Sequence, residues 1–232
     1  MIGNAPRSPI TGVPGWLTDA EEETLIKYAK LLPGKSTVVN IGCEYGRSVI
    51  ALAQAVVDAT NIYGIELSPK PALKANIAEA NLDDEHAISI EQGDSKAIGE
   101  AWWRYDNRVN LLFVDGAHEY ENVKGDIKAW MRYIVVGGYV LFHDVSQDTN
   151  KRPHYLHYEV AKAIAEWLEA APDEFRLVEM VDTIAVYQRV NAPAKYAQSF
   201  NVPASAPDDQ WKLSPAHADT PKPTPKPRRK AK

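Results

Sequence analysis

N-L-L-F-V-D-G-A-H-E-Y, residues 110–120, is the stretch that decides how this chain folds. Leu111, Leu112, Phe113 and Val114 form an unbroken apolar run. A short run without polar alternation, bounded by turn residues, suits a strand covered on both faces. It stops at Asp115-Gly116-Ala117-His118. In an open parallel sheet, ligands gather outside the carboxyl ends of the strands. A carboxylate and an imidazole three residues apart at such an end are placed for chemistry. Asp115 equally suits the start of the helix expected near Tyr120, because Asp is favoured at helix N-caps. The run alone leaves both readings open.

Working outward, the same pattern repeats. Thr37 to Ile41 reads as a buried strand, broken by Gly42-Cys43-Glu44-Tyr45-Gly46, with a helix from Arg47. Ile62 to Ile65 is a second strand ending in Glu66, followed by a helix over 69–82. Ala87 to Glu91 is a third, ending in Gln92-Gly93-Asp94-Ser95, and a short helix with Trp102 and Trp103 follows. After the opening stretch, a helix is expected over 120–134, and Gly137-Gly138 is expected to turn the chain into a fifth strand, Tyr139 to Phe142, ending in His143-Asp144. A helix over 156–170 precedes two closely spaced strands, 175–180 and 183–189. Strands alternating with helices over about 150 residues imply a parallel sheet wrapped on both faces. The fold class is therefore α/β: Rossmann-like, doubly wound, with a mostly parallel seven-stranded sheet and an antiparallel C-terminal hairpin.

Three regions follow. Residues 1–17 form a Pro- and Gly-rich arm that packs on the domain or over a site. Residues 18–190 are the domain, opening on T-D-A-E, a capping-box pattern at Thr18. Residues 191–232 form a Pro/Lys-rich tail of low complexity. The net charge of -5 gives no general bias toward nucleic acid. It conceals a tail carrying +5 over 215–232, so the remainder carries -10. Nucleic acid is not the expected partner, although the basic tail leaves it open. Cys43 is the one cysteine, so no intrachain disulfide forms, as suits a reducing compartment. The first residues lack the apolar core of a signal peptide, and no apolar stretch approaches the roughly 18 residues that span a bilayer. The expectation is a cytoplasmic protein without a membrane partner. Its oligomeric state, a homo-oligomer included, is open.

The ligand class is narrowed by what the first strand–helix turn lacks. Gly42 and Gly46 give G-x-x-x-G, where a dinucleotide site would show G-x-G-x-x-G and a phosphate loop G-x-x-x-x-G-K-[ST]. A cofactor without a pyrophosphate is indicated, and a nicotinamide oxidoreductase is disfavoured. Glu66 is placed to accept from ribose hydroxyls or stands as a helix-start carboxylate. Asp94 is placed to accept from an exocyclic amine or caps the helix at Ser95.

V-V-N-I-G-C-E-Y-G-R-S, Y-G-I-E, G-D-S, F-V-D-G-A-H-E-Y and G-G-Y-V-L-F-H-D-V, taken in order, resemble the successive motifs of class I S-adenosylmethionine-dependent methyltransferases. D-G-x-H-x-Y with G-G-x-x-x-x-H-D is similar to a bacterial small-molecule O-methyltransferase group that includes metal-dependent, macrolide-type sugar O-methyltransferases. The resemblance covers about residues 36–190. It implies S-adenosylmethionine held by Asn40, Gly42, Glu44, Gly46, Glu66, Asp94, Ser95 and Asp115. It implies Mg2+ or another divalent cation on Asp115 and Asp144, His118 as general base, and a small-molecule hydroxyl, on a sugar or polyol, as acceptor. Two positions depart from the pattern. Asn40 stands where an acidic residue is usual. His143 stands where the sugar-methylating group has Glu, so it either replaces that ligand or points into the core. Methylation of nitrogen or of a macromolecule, or cofactor binding without catalysis, are the alternatives.

Overall fold

The computed structural model describes residues 7–57, 60–80, 82, 87–104, 108–145 and 155–192, with the backbone alone for 87 and 155–157. The elements are α1 (Asp19–Lys30), β1 (Thr37–Ile41), α2 (Arg47–Ala55), β2 (Asn61–Glu66), α3 (Pro71–Glu79), β3 (Ala87–Gln92), α4 (Ser95–Glu100), β4 (Val109–Val114), α5 (Tyr120–Trp130), β5 (Ile134–Phe142), α6 (Tyr155–Ala170), β6 (Phe175–Val181) and β7 (Ile184–Arg189). They form one seven-stranded sheet in the order β3-β2-β1-β4-β5-β7-β6. The strands β3 through β5 run parallel, while β7 pairs antiparallel with both β5 and β6. This is the mixed, doubly wound sheet expected from the sequence. None of the described helices is long and apolar enough to cross a membrane.

Strand parity divides the core. Side chains alternate between the faces of a strand, so neighbouring residues enter different layers. Val39, Ile41, Leu112, Val114, Val140 and Phe142 join Trp102, Trp130, Val160 and Ile164 on one side. Val38, Leu111, Phe113, Leu141 and Val186 join Leu25, Tyr28, Val49 and Leu52 on the other. β1 is buried at all five positions, which is why its sequence shows no polar alternation. Trp102 is fully buried, whereas Trp103 is exposed.

One expectation is corrected. Gly137-Gly138 does not turn the chain into β5, because β5 begins at Ile134 and runs through them. The pairing with β4 jumps from Val109↔Ile134 to Leu111↔Tyr139, a bulge in β5. Gly137 sits at φ +85, and a Cβ on Gly138 would lie 2.9 Å from the Asn110 carbonyl. A glycine pair inside a strand marks such a bulge and a close backbone approach.

The order of strand addition reverses at β1, which pairs in parallel with β2 on one side and β4 on the other. This switch point leaves a crevice at the carboxyl ends of the strands. Two features close it from the amino-terminal side. The capping box forms: the Glu21 amide donates to Thr18 Oγ1 at 3.1 Å and the Thr18 amide to Glu21 Oε2 at 2.8 Å. The arm is strapped down by a buried ion pair. Arg47 donates to Glu22 Oε2 through Nε and Nη2 at 2.9 and 2.6 Å, and through Nη1 to the Gly15 carbonyl. Glu22 in turn accepts from Ser8 Oγ.

Candidate active site

The crevice is a pocket of about 810 Å³, lined by the arm, the β1 and β2 loops, the Gly93–Lys96 segment and the ends of β4 and β5. A pocket of several hundred Å³ suits a ligand of nucleoside size.

Its first part is made of backbone. Gly42 adopts φ +82, and a Cβ built there would lie 1.9 Å from the Asp115 carbonyl oxygen. Only glycine fits, so β1 and β4 close tightly beneath the ligand. Gly46, at φ +95, caps α2 against Leu73. Glu66 braces this loop: Oε2 accepts from the Cys43 and Glu44 amides at 3.0 and 3.1 Å, and Oε1 from the Ser68 amide. Glu44 sits at φ +43 and pairs with Lys70 at 3.0 Å. Asn40 does not reach the pocket. It is fully buried beneath the loop, its Nδ2 donating to the Gly42 carbonyl at 2.8 Å. Cys43 is buried, and burial pushes its thiol up to about 12, so it is a packing residue.

The β3 end divides its two predicted residues. Asp94 caps α4 by accepting from the Lys96 amide at 3.0 Å, which is the structural role weighed for it. Ser95 turns inward and donates to Asp126 Oδ1 at 2.5 Å.

The second part is made of side chains. Asp115, His118 and Asp144 converge, with one ligand atom from each lying within 4.8 Å of the others. His118 Nε2 is 2.7 Å from Asp144 Oδ2 and 3.9 Å from Asp115 Oδ1. Asp115 and Asp144 together push His118 up to about 9, against the burial that lowers it. Asp144 holds a left-handed φ of +57, a conformation that Asp tolerates better than most residues and that recurs at functional sites. Burial disfavours its charge, but the hydrogen bonds of His118 and His143 outweigh this and keep its carboxyl well below the usual range.

His143 stands behind this group. It is buried, with Nδ1 2.9 Å from Asp115 Oδ1 and 3.3 Å from Asp144 Oδ2, and Nε2 3.2 Å from Glu21 Oε2. Burial opposes its charge, yet the Asp115 charge and the carboxylate hydrogen bonds hold it well above its ordinary value. With both ring nitrogens turned to carboxylates, His143 is not among the residues arranged to share a cation. The ring is turned to Asp115, Asp144 and Glu21 at the edge of the pocket, not into the apolar core. Glu21 Oε1 also accepts from the Thr183 amide and hydroxyl at 2.9 and 2.6 Å. Burial would raise Glu21, but His143 and Thr183 bring it down to about 2.

Glu21, Thr183 and Asp126 were not singled out by sequence. Asp126 had left a signal, since it falls on the apolar stripe of α5 with Val123, Ile127 and Trp130. Tyr120 faces away from this group, its hydroxyl donating to Glu166 on α6 and accepting from Lys124. His154 and the side chain of His157 lie outside the described residues, as does the tail from 193.

The comparisons with known proteins follow this geometry. A family model described as a methyltransferase domain matches residues 39–145, which span β1 to the end of β5. The uncharacterized protein R132 of Acanthamoeba polyphaga mimivirus is 27% identical over 171 residues, covering 67% of this chain and 76% of its own. The O-methyltransferase TomG from Streptomyces achromogenes, solved with S-adenosylmethionine, superposes with a TM-score of 0.59 at 18% identity, over 75% of this chain and 82% of that one. CalS11, a TDP-rhamnose 3′-O-methyltransferase of calicheamicin biosynthesis, gives 0.52 at 17% identity, over 72% and 76%. At such identities the solved structures speak to the fold. The matched domain and the shared fold agree: residues 39–145 match a methyltransferase domain, set in a fold shared with solved O-methyltransferases.

Proposed function

We propose that this protein transfers the methyl group of S-adenosylmethionine to a hydroxyl oxygen of a small molecule, a sugar or polyol, with a divalent cation as auxiliary. The observation that carries the reading is the convergence of Asp115, His118 and Asp144 in the same pocket as the glycine loop. The likeness to TomG with its bound donor supports the cofactor, and that to CalS11 supports the acceptor class.

The residues fit the groups this requires. The Gly42–Gly46 loop, braced by Glu66, would present backbone to the methionine part of the donor, and Glu66 and Glu44 would serve its ribose. Two carboxylates and an imidazole within 4.8 Å form a donor set that suits Mg2+ or a borderline ion such as Mn2+. Asp115 and Asp144 would hold it, and His143 keeps Asp115 in place from behind. When bound, such a cation supplies positive charge to the acceptor oxygen and satisfies the carboxylates that otherwise retain the proton on His118. His118, half-buried in the pocket lining, takes the acceptor's proton. The arm and the loops hold the oxygen in line with the sulfonium methyl, and positioning is much of what methyl transfer needs. With its lone cysteine reduced and buried, the enzyme is suited to work in the cytoplasm.

Titration calorimetry with S-adenosylhomocysteine tests the donor site, with binding near 1:1 expected. Turnover of a labelled donor on a panel of sugars and polyols should require Mg2+ or Mn2+ and be lost with chelator. Activity that survives chelation would remove the cation, and binding without turnover on any acceptor would favour a non-catalytic module.

A further inference from the structure

On the cofactor reading above, a donor with its sulfonium by His118 and its ribose by Glu66 would place its base at Gly93–Lys96, which line the same pocket. Adenine presents an exocyclic amine there, which needs an acceptor. Two carboxylates line this end of the pocket, Asp94 and Asp126. They are in opposite states. Asp94 is half exposed and already used, with Oδ1 on the Lys96 amide and Oδ2 3.8 Å from Lys96 Nζ. Asp126 is 3% exposed. Its Oδ1 accepts from Ser95 Oγ. Its Oδ2 faces the Gly116 backbone, 3.9 Å from where a Cβ on that glycine would stand. Among the described residues, Ser95 is the one side chain that donates to it.

A buried carboxylate with a single neutral donor is costly. The nearest ammonium, on Lys96, is directed to Asn122 Oδ1 at 2.8 Å and does not pair with it. Burial accordingly pushes the Asp126 carboxyl up to about 6, against the Ser95 hydrogen bond. Nothing in the packing of α5 requires this cost, since the position lies on the apolar stripe between Val123 and Trp130. A ligand that brings an N–H donor would relieve it.

We infer that Asp126, aimed by Ser95, is the acceptor for the exocyclic amine of the donor's adenine, and that Asp94 serves α4 as its cap. The inference rests on the cofactor reading above. Asp126 is then the residue that tells adenine from a base with a carbonyl in the same place.

Calorimetry with S-adenosylhomocysteine and its deaminated analogue, S-inosylhomocysteine, tests it without turnover. The wild type should prefer the adenine ligand by about tenfold or more, the loss expected when a buried acceptor meets a carbonyl. In Asp126→Asn, whose amide can face either group, the preference should shrink to within about threefold. Asp94→Asn should keep it. Ser95→Ala leaves the carboxylate in place without its guide and should reduce the preference, so the answer does not hang on the folding of one variant. A preference kept in both Asp126→Asn and Ser95→Ala overturns the assignment, as does its collapse in Asp94→Asn alone. Failure of the wild type to bind S-adenosylhomocysteine at all would instead remove the cofactor reading, and the assignment with it.

Discussion

The two parts of the pocket are built from different materials. On the donor side, a few consecutive residues shape the backbone: Gly42 and Gly46 at positive φ, with Glu66 pinning the loop from β2. On the acceptor side, side chains from four separate segments meet: Glu21 of α1, Asp115 and His118 after β4, His143 and Asp144 after β5, and Thr183 before β7. A site made of backbone has no room for an added atom. A site made of side chains accepts isosteric replacement and loses its chemistry instead.

That contrast can be broken most severely at Gly42. Gly42→Ala places a methyl group 1.9 Å from the Asp115 carbonyl, on a backbone that favours glycine. We expect loss of S-adenosylhomocysteine binding and a stability cost of about 4 kcal/mol or more by thermal or chemical melt. A folded variant that still binds would show the loop to be pliable. Next, His118→Ala should lower turnover by about 10²- to 10⁴-fold, the range for removing a general base, and leave S-adenosylhomocysteine affinity within about threefold. Equal losses in both would mean that the two parts are not separable.

Glu21→Gln sharpens the comparison, because Glu21 has a local and a distant role. Removing its charge leaves His143 facing one fewer carboxylate, and breaking a buried pair costs about 3 kcal/mol. Thr18→Ala removes the cap and an exposed hydrogen bond to Asp182, and should cost about 1 kcal/mol. Equal melts for the two would reduce Glu21 to a helix cap.

A smaller, pH-dependent effect is expected at Asp126. Burial holds its carboxyl at about 6, above the ordinary value of 3.8. A raised carboxyl contributes stability below its unfolded pKa and loses it as pH rises through the folded value. Asp126→Asn cannot ionise, so relative to wild type it should be more stable at pH 8 than at pH 4, by about 2 kcal/mol. Parallel stability curves would show the carboxyl to be unstrained.

The same contrast governs what could be read from sequence. Apolar runs such as Leu111–Val114 announce buried strands, and T-D-A-E announces its own cap, because those signals are local. Asp115, His118 and Asp144 were legible as strand-end residues within ordered motifs. Glu21 was hidden by its own cap signal, which already explained it, while its partner Thr183 lies 162 residues away. The Gly137-Gly138 pair misled because a bulge and a turn ask for the same residue. Asp94 was ambiguous for the same kind of reason: a cap and a ligand acceptor are both carboxylates at a helix start.

The span from Glu21 to Thr183 also sets an order of assembly. During synthesis, α1 emerges long before Thr183, the partner that holds Glu21 against β5, which comes only with the β6–β7 turn. β7 must then slide between β5 and β6, making antiparallel pairs with both. Pairings so distant along the chain form late. A ribosome-stalled chain exposed only through β5 would carry the glycine loop and Glu66 but lack the brace on Glu21. Emergence of residues 143–189, on the order of seconds of elongation, is when the acceptor side would first become competent. Protease protection of α1 in nascent chains of increasing length should rise in a step once β7 has cleared the exit tunnel.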